Sequence, residues 1–369
     1  MCDFSGKTGQ KLSRIKHSSL FFLVNYNNFE MKFRNGKIDK RMKTNEDIQI
    51  DVVITWVDGH DPEHRRKRME YQTGCKDVKR VDIGGDTRFN SLGEINYCVA
   101  SINKYASFVR KIYIVTDGQN PNVEKFMDEN FPGNRIPMEI VDHKTIFRGY
   151  EQYLPVFNSL AIETMLWRIP GLSEYYIYLN DDFSLIGPVT KEDFIRKGKM
   201  LVNGSRRIVP ISELKEKVHT YRKGGVPLVT LRRTLLNASE ILGDWKMIKL
   251  VHAPQMLRKS IFEEYYKEHE EAVIHNIKHR FRDISQYNAS ALQYLLAMKN
   301  HEIKLVNPAK KLLYINPKRY QMKRTLEKLA IFTKKKKARY FCINSLDLAT
   351  PDVQKAVVGW LNDRLHGKL

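Results

Sequence analysis

The sequence is poor in the features that usually announce a function. Its four cysteines, Cys2, Cys75, Cys98 and Cys342, show no CxxC pairing and no regular spacing. That excludes a zinc ribbon and a disulfide scaffold and fits a reducing compartment. Near the N-terminus the longest apolar run is Leu20–Val24, far short of the ~20 residues that cross a bilayer. A cytoplasmic protein is therefore expected. The glycines form neither GxGxxG nor a Walker loop, which disfavours dinucleotide and P-loop chemistry. There is no GxSxG, and Cys98 and Cys342 fall inside predicted apolar elements, so nucleophilic Ser or Cys catalysis has no support. Internal repeats are also missing.

What is present is a globular composition with an uneven charge. Of 369 residues, 42% are hydrophobic and 28% charged, and the net charge is +21. So basic a chain first points to nucleic acid. Residues 1–45 hold ten Lys and Arg against three Asp and Glu, a net +7. Residues 46–184 hold sixteen against twenty-two, a net −6, and residues 185–369 hold thirty-seven against seventeen, a net +20. The segment richest in motifs is thus acidic. No helix-turn-helix, C2H2 or RNP-like pattern accompanies the basic parts, so no nucleic-acid partner is expected.

Residues 1–45 read as a loosely ordered basic arm. IDVVITWV (50–57), KIYIVTDG (111–118), MEIVDH (138–143) and YYIYLNDDFSLIG (175–187) read as buried strands. Leu92, Ile95, Val99 and Ile102 recur at helical spacing within 91–107, and 159–168 reads as a second helix. Strands alternating with helices predict an α/β domain with a largely parallel sheet. Residues 188–250 mix turns with short apolar runs, 255–300 read as helical, and 338–344 as a strand. A final helix over 352–365 follows the cap at Thr350-Pro351.

Asp58, Asp117 and the Asn180-Asp181-Asp182 cluster all fall at C-terminal strand ends, the edge where open α/β sheets bind ligands. Successive strand side chains point to opposite faces, so only a bend would present Asp181 and Asp182 together. A hard cation takes one or two carboxylates plus water and phosphate oxygens, which makes the pair a metal–diphosphate candidate. His252, in VHAPQ, is a candidate general base, and His143 has the same option with less context. Arg88, Arg280 and Arg282 are candidate phosphate clamps.

Four blocks in order resemble the Stealth family: DVVITWVDGHDP (51–62); RFNSLGEINYCVASINKYASFVRKIYIVTDGQNP (88–121) continuing through LPVFNSLAIE to YYIYLNDD (175–182); VHAPQ (251–255) with HRFRD (279–283); and RYFCIN (339–344). That family comprises bacterial capsular polysaccharide phosphotransferases and the catalytic subunit of the animal N-acetylglucosamine-1-phosphotransferase. The resemblance covers about residues 50–345. It implies an α/β fold, Rossmann-like or glycosyltransferase-A-like, with a mostly parallel sheet, helices on both faces and a helical, basic C-terminal part. The division it implies is an arm over 1–45, a catalytic domain over 46–345 with its α/β core at 46–187 and a basic mixed part at 188–345, and a C-terminal helix over 346–369.

The implied reaction transfers a sugar-1-phosphate from a UDP-sugar to a hydroxyl of an acceptor polysaccharide or oligosaccharide, releasing UMP. In that reading Mg²⁺ (or Mn²⁺) sits on Asp181 and/or Asp182, Arg88 and Arg282 hold the transferred group, and His252 is the base. Asp58 stands beside the donor as a sugar or metal contact, or orients His252. Asn158 and Ser159 offer helix N-terminal amides, and Asn344 is a matching position of the last block. The chain has His60 where the family commonly has Ser, so His60 takes no role. It has Ser345 where the family commonly has Asp, which puts a carboxylate function of that block in doubt. The alternatives are a metal-dependent glycosyltransferase that releases UDP, or a module binding polyanions or membranes. The amphipathic stretch 318–333 and Lys334–Lys337 are the expected contact with an anionic membrane surface at the inner face of the cytoplasmic membrane.

Overall fold

A computed structural model describes residues 29–34, 37–42, 47–72, 80, 82–133, 135–316 and 322–369. Two units are distinguished, divided after Asp47. In the first, strands β1 (Phe29–Arg34) and β2 (Lys37–Met42) pair antiparallel. Of the arm expected over residues 1–45, these two strands are the part described. The rest of residues 1–46, with Cys2 and Cys75, lies outside the described residues.

The second unit is organised by a five-stranded sheet. Its parallel members are β3 (Ile50–Thr55), β4 (Val109–Thr116), β5 (Met138–Asp142) and β6 (Tyr175–Asn180), in the order β6-β3-β4-β5. Continuous apolar runs form these strands because both faces are covered. Val52 and Ile54 enter one core with helix α2 (Glu94–Tyr105), whereas Val53, between them, enters the other with α5 (Ser159–Met165). Successive strands run outward from β3 on one side through β4 and β5, and β6 returns to its other side. The strand order therefore reverses between β3 and β6, and a crevice opens at their C-terminal ends.

Helices α1 (Pro62–Gln72), α3 (Val123–Asn130) and α4 (His143–Ile146) complete the crossovers. The long strand expected over 175–187 is broken: Asp181 and Asp182 form a turn between β6 and β7 (Phe183–Leu185). β7 then joins a second sheet in the order β13-β14-β7, with β13 at Leu312–Ile315 and β14 at Tyr340–Ile343. A third sheet is built from β8 (Ile195–Arg196), β9 (Lys199–Ile208), β10 (Lys246–Leu250) and β12 (Ile303–Val306). Between β9 and β10 lie α6 (Val209–Arg222) and α7 (Leu231–Ile241).

Residues 255–300 are not wholly helical. Gln255–Arg258 is β11, an antiparallel edge strand on β6, because Met256 and Leu257 alternate into the two cores. Helices α8 (Lys259–Glu268), α9 (Glu270–Ile277) and α10 (Ala289–Lys299) follow. α11 (Met322–Thr333) buries Leu329 and Phe332 in the core, and α12 (Pro351–Leu365) starts with the expected proline in its first turn. Leu326 and Ile331 of the same helix are exposed; residues 318–321 of the expected membrane-contacting stretch lie outside the described residues.

Candidate functional site

The crevice between β3 and β6 holds a cavity of about 440 Å³, lined by Thr55 at the end of β3 with Trp56 and Val57 after it, and by Asn180 at the end of β6 with Asp181 and Asp182 after it. Its volume suits a substrate of nucleotide-sugar size. One part of the wall is aromatic and apolar, with Trp56, His64, Phe89, Val115 and Phe157. The remainder gathers Arg88, Arg282, Glu94, Asp181, Asp182, Asn344 and Asp347. Burial is the main cause that lowers the Arg88 guanidinium to about 9, with Arg282 adding repulsion. Two guanidinium groups close enough to repel each other face the same cavity, an arrangement that favours a phosphate ligand.

Both arginines are set by a small aromatic cluster. Phe89 and Phe281 follow or precede them in sequence and pack with Phe157; Phe157 and Phe281 stack at 5.2 Å. Gly59 fits beneath Phe89, donating its N–H to the Phe89 carbonyl at 2.7 Å. A Cβ there would lie 2.4 Å from the Phe89 Cβ, so the glycine of TWVDG is required by close approach. Asn158 is 2% exposed. Its amide NH₂ donates to the carbonyls of His279 and Phe281 and to Gln286 Oε1, and its Oδ1 caps α5 through the Leu160 N–H. Its side chain therefore holds the Arg282 loop in place. Ser159 Oγ accepts from Arg282 Nη2 at 2.7 Å.

The turn presents both Asp181 and Asp182 to the cavity. Burial pushes the Asp181 carboxyl well above its ordinary value, with Asp182 and Glu94 adding to it. Burial, then Glu94, pushes Asp182 to about 7. Asp182 Oδ2 accepts from the Cys342 thiol at 3.8 Å, while its Oδ1 is buried with no hydrogen-bond partner. Among the described residues no group of three or more His, Cys, Asp and Glu forms a cation cage. The orphaned Asp182 oxygen beside the Asp181 carboxyl fits an ion that takes one or two carboxylates and completes its shell with other oxygens, as Mg²⁺ does.

A second cavity of about 140 Å³ shares Ser159, Asn180 and Arg282 with the first, and it holds His252. The imidazole stacks on Tyr314 with ring centres 5.2 Å apart. Burial lowers its pKa, so it is neutral near pH 7. Glu163 lines the same cavity; burial raises its carboxyl to about 7 against the opposing pull of Arg282.

Residues 49–74 match the model of Stealth protein conserved region 1, and residues 88–202 that of conserved region 2. Over 264 residues the chain is 31% identical to the capsular polysaccharide phosphotransferase cps1A of Actinobacillus pleuropneumoniae, covering 69% of this chain and 67% of that protein. The chain belongs to the Stealth family. It is also 37% identical over 245 residues to the exopolysaccharide phosphotransferase SCO6023 of Streptomyces coelicolor, covering 64% of this chain and 38% of that protein. The corresponding figures for the capsular polysaccharide phosphotransferase LcbA of Aeromonas hydrophila are 32% over 249 residues, 66% and 64%. The chain thus spans less than two thirds of the length of these last two relatives. Galactosyltransferase LgtC matches at 7% identity and a TM-score of 0.36, over 86% of this chain and 95% of that chain. The α/β class accordingly rests on the sheet itself.

The Stealth blocks converge unevenly. Arg88, Asn158, Ser159, Asp181, Asp182, Arg282 and Asn344 line the first cavity, and His252 the second. Asp58 lines neither. Its Oδ1 accepts from the His60 N–H at 2.9 Å and lies 3.3 Å from His60 Nδ1, while Gln119 pairs with its backbone. The Asp58-Gly59 turn directs the carboxylate to His60. Asp117 pairs with Lys67 at 3.5 Å. Arg280 donates to the Leu154 carbonyl and packs over Tyr71, a structural role. His143 lines the first cavity, and burial lowers it to about 4.

Three carboxylates escaped the sequence reading. Glu94 opens α2, where it reads as an ordinary first-turn acid. Asp347 accepts from Asn90 Nδ2 at 2.9 Å and brings a carboxylate of the last block to the cavity two residues after Ser345. Asn344 Oδ1 accepts from Asn316 and from the Ser345 hydroxyl, both at 3.1 Å. Glu163 was inside a quoted block, and its helical position alone gave no chemical signal.

Proposed function

We propose that the protein transfers a hexose- or N-acetylhexosamine-1-phosphate from a UDP-sugar to a hydroxyl of an acceptor glycan. UMP is released, and phosphodiester-linked capsular or surface polysaccharide is formed. The observation that supports this reading is that two neighbouring cavities share a wall at Ser159, Asn180 and Arg282. One carries arginines and carboxylates, the other His252. The aromatic part of the first suits the uracil base and the polar part a diphosphate.

In this reading Arg88 and Arg282 neutralise oxygens of the β-phosphate, which stabilises charge in an in-line displacement. Asp181 and Asp182 would hold Mg²⁺ or Mn²⁺, which when bound neutralises the diphosphate. The acceptor oxygen forms a bond to the β-phosphorus as the bond to the bridging oxygen breaks, and UMP carries away that electron pair. His252 takes the proton of the attacking hydroxyl. The experiment is a screen of UDP-sugars with a primer oligosaccharide, followed by chromatography of the nucleotide product. UMP together with a phosphodiester signal in phosphorus NMR is the expected result. UDP as product would identify a glycosyltransferase attacking the anomeric carbon and overturn the reading.

A further inference from the structure

Helix α6 turns an apolar stripe away from the protein. Its Val209, Ser212 and Glu216 are buried against the body of the fold, and Glu216 is tied to Thr230 at 2.6 Å and Arg232 at 3.1 Å. On the opposite side Ile211, Leu214, Val218 and Tyr221 recur at three- and four-residue spacing and are all exposed, Leu214 at 63% and Tyr221 at 83%. At 3.6 residues per turn these four occupy an arc of roughly 80°. The same geometry places Arg222 and Lys215 along one edge of the arc and Lys217 along the other, all exposed. The patch continues past the start of the helix. Trp245, 60% exposed, accepts the Val209 N–H at 3.0 Å through its carbonyl and carries the Lys246 ammonium 3.8 Å above its ring. Ile208, paired with Lys246 in the sheet, is exposed beside it, as are Arg206 and Arg207.

We propose that this face, α6 with Ile208 and Trp245, docks on the surface of an anionic lipid bilayer. Charge and residue type together select that occupant. Protein-binding patches are depleted in lysine relative to the rest of a surface, whereas here Lys215, Lys217 and Arg222 flank the apolar arc on both sides. Long basic side chains lay their methylenes along an apolar surface and reach outward to phosphate headgroups. Tyr221 and Trp245, at opposite ends of the patch, are the residue types that settle at the headgroup level. An apolar strip with such edges lies in the plane of the interface and does not cross it, in keeping with the finding that no helix among the described residues is long and apolar enough to span a membrane. Val229, seven residues beyond Arg222, lines the cavity of His252, so docking keeps that cavity within about 25 Å of chain reach of the surface.

The test is co-sedimentation of the full chain with vesicles of phosphatidylcholine containing 30% or no phosphatidylglycerol, the composition being roughly that at which polybasic segments bind. The expected result is binding to the anionic vesicles alone. Leu214→Asn combined with Tyr221→Ser should weaken it at least tenfold, and Lys215→Gln with Lys217→Gln and Arg222→Gln likewise. Lys336→Gln with Lys337→Gln, beyond α11, should leave binding unchanged. All these side chains are exposed, so circular dichroism should show an unaltered fold. Nucleotide release from soluble substrates should also be unaltered, which separates this proposal from the assignment of the reaction. Absence of wild-type binding, equal binding by the α6 variants, or self-association that those variants abolish would overturn it.

Discussion

Arg282 donates to the Ser159 hydroxyl at 2.7 Å, on the wall that the two cavities share. This hydrogen bond aims a buried guanidinium from a loop at the point where donor and acceptor would meet. Arg282→Lys keeps the charge but loses the planar fork, so kcat should fall roughly 10²-fold. Ser159→Ala removes only the guide, and a smaller loss, about tenfold, is expected from misplacement of the guanidinium. Steady-state kinetics with a fixed UDP-sugar checks both. A Ser159→Ala loss equal to that of Arg282→Lys would mean the hydroxyl itself touches substrate.

Asn158 underlies that geometry. Its amide ties the carbonyls of His279 and Phe281 and the Gln286 side chain to the start of α5. Asn158→Ala leaves these groups buried without a donor, each at a cost of about 1–3 kcal/mol before relaxation. Urea denaturation should show a loss of roughly 2–4 kcal/mol. Turnover by the fraction that remains folded should also fall, because the Arg282 loop has lost its anchor. Asn158→Asp should be at least as damaging, since a carboxylate faces two carbonyl oxygens with no hydrogen to offer.

The sheet and the arginine block were legible in the sequence for a common reason: both are carried by local patterns. Runs such as IDVVITWV must be strands buried on both faces, and the Asn-Asp-Asp cluster marks where β6 ends. The pairing of Asp58 with His60 was not legible, because a strand-end aspartate looks alike whether it turns toward the crevice or back along its own turn. β11 was hidden inside a helical-looking region, since four residues are too few for a period to declare itself. Glu94, Glu163 and Asp347 reach the cavities through long-range packing, which leaves no trace in residue spacing.

Gly59 tests whether the TWVDG block acts through packing. A Cβ at this position would meet the Phe89 Cβ at 2.4 Å and its carbonyl oxygen at 2.7 Å, and backbone cannot move aside as a side-chain tip can. Gly59→Ala should therefore destabilise by about 1–3 kcal/mol. Because Phe89 neighbours Arg88, donor binding should weaken as well. Calorimetric titration with the UDP-sugar, set against the thermal midpoint, separates the two effects.

The acidic turn makes metal binding depend on pH. Burial holds Asp182 at about 7 and raises Asp181 further. A carboxylate raised in this way is protonated in the folded chain at pH values where it would be ionised in the unfolded one. Without metal, its contribution to stability falls as pH climbs from near 4 toward 7 and beyond. A cation binds the ionised form, so the thermal shift produced by Mg²⁺ should be larger at pH 8 than at pH 6. Asp182→Asn should remove most of that shift at both values. A shift independent of pH, or preserved in the variant, would place the ion elsewhere.

His252 bears the remaining step. Its pKa is lowered by burial, so it stays neutral, and able to accept a proton, at pH values where an ordinary histidine is already charged. At saturating Mg²⁺ and donor, the acid limb of kcat should lie below the ~6.5 of an unperturbed imidazole. His252→Gln should lower kcat by roughly 10²–10⁴-fold with a small change in KM, because the group acts on the proton and not on the donor. The residual rate should lose the limb altogether and rise instead with the concentration of hydroxide. If the limb survives unchanged in the variant, the proton goes to another group, and Glu163, in the same cavity and held at about 7, is the one to substitute next.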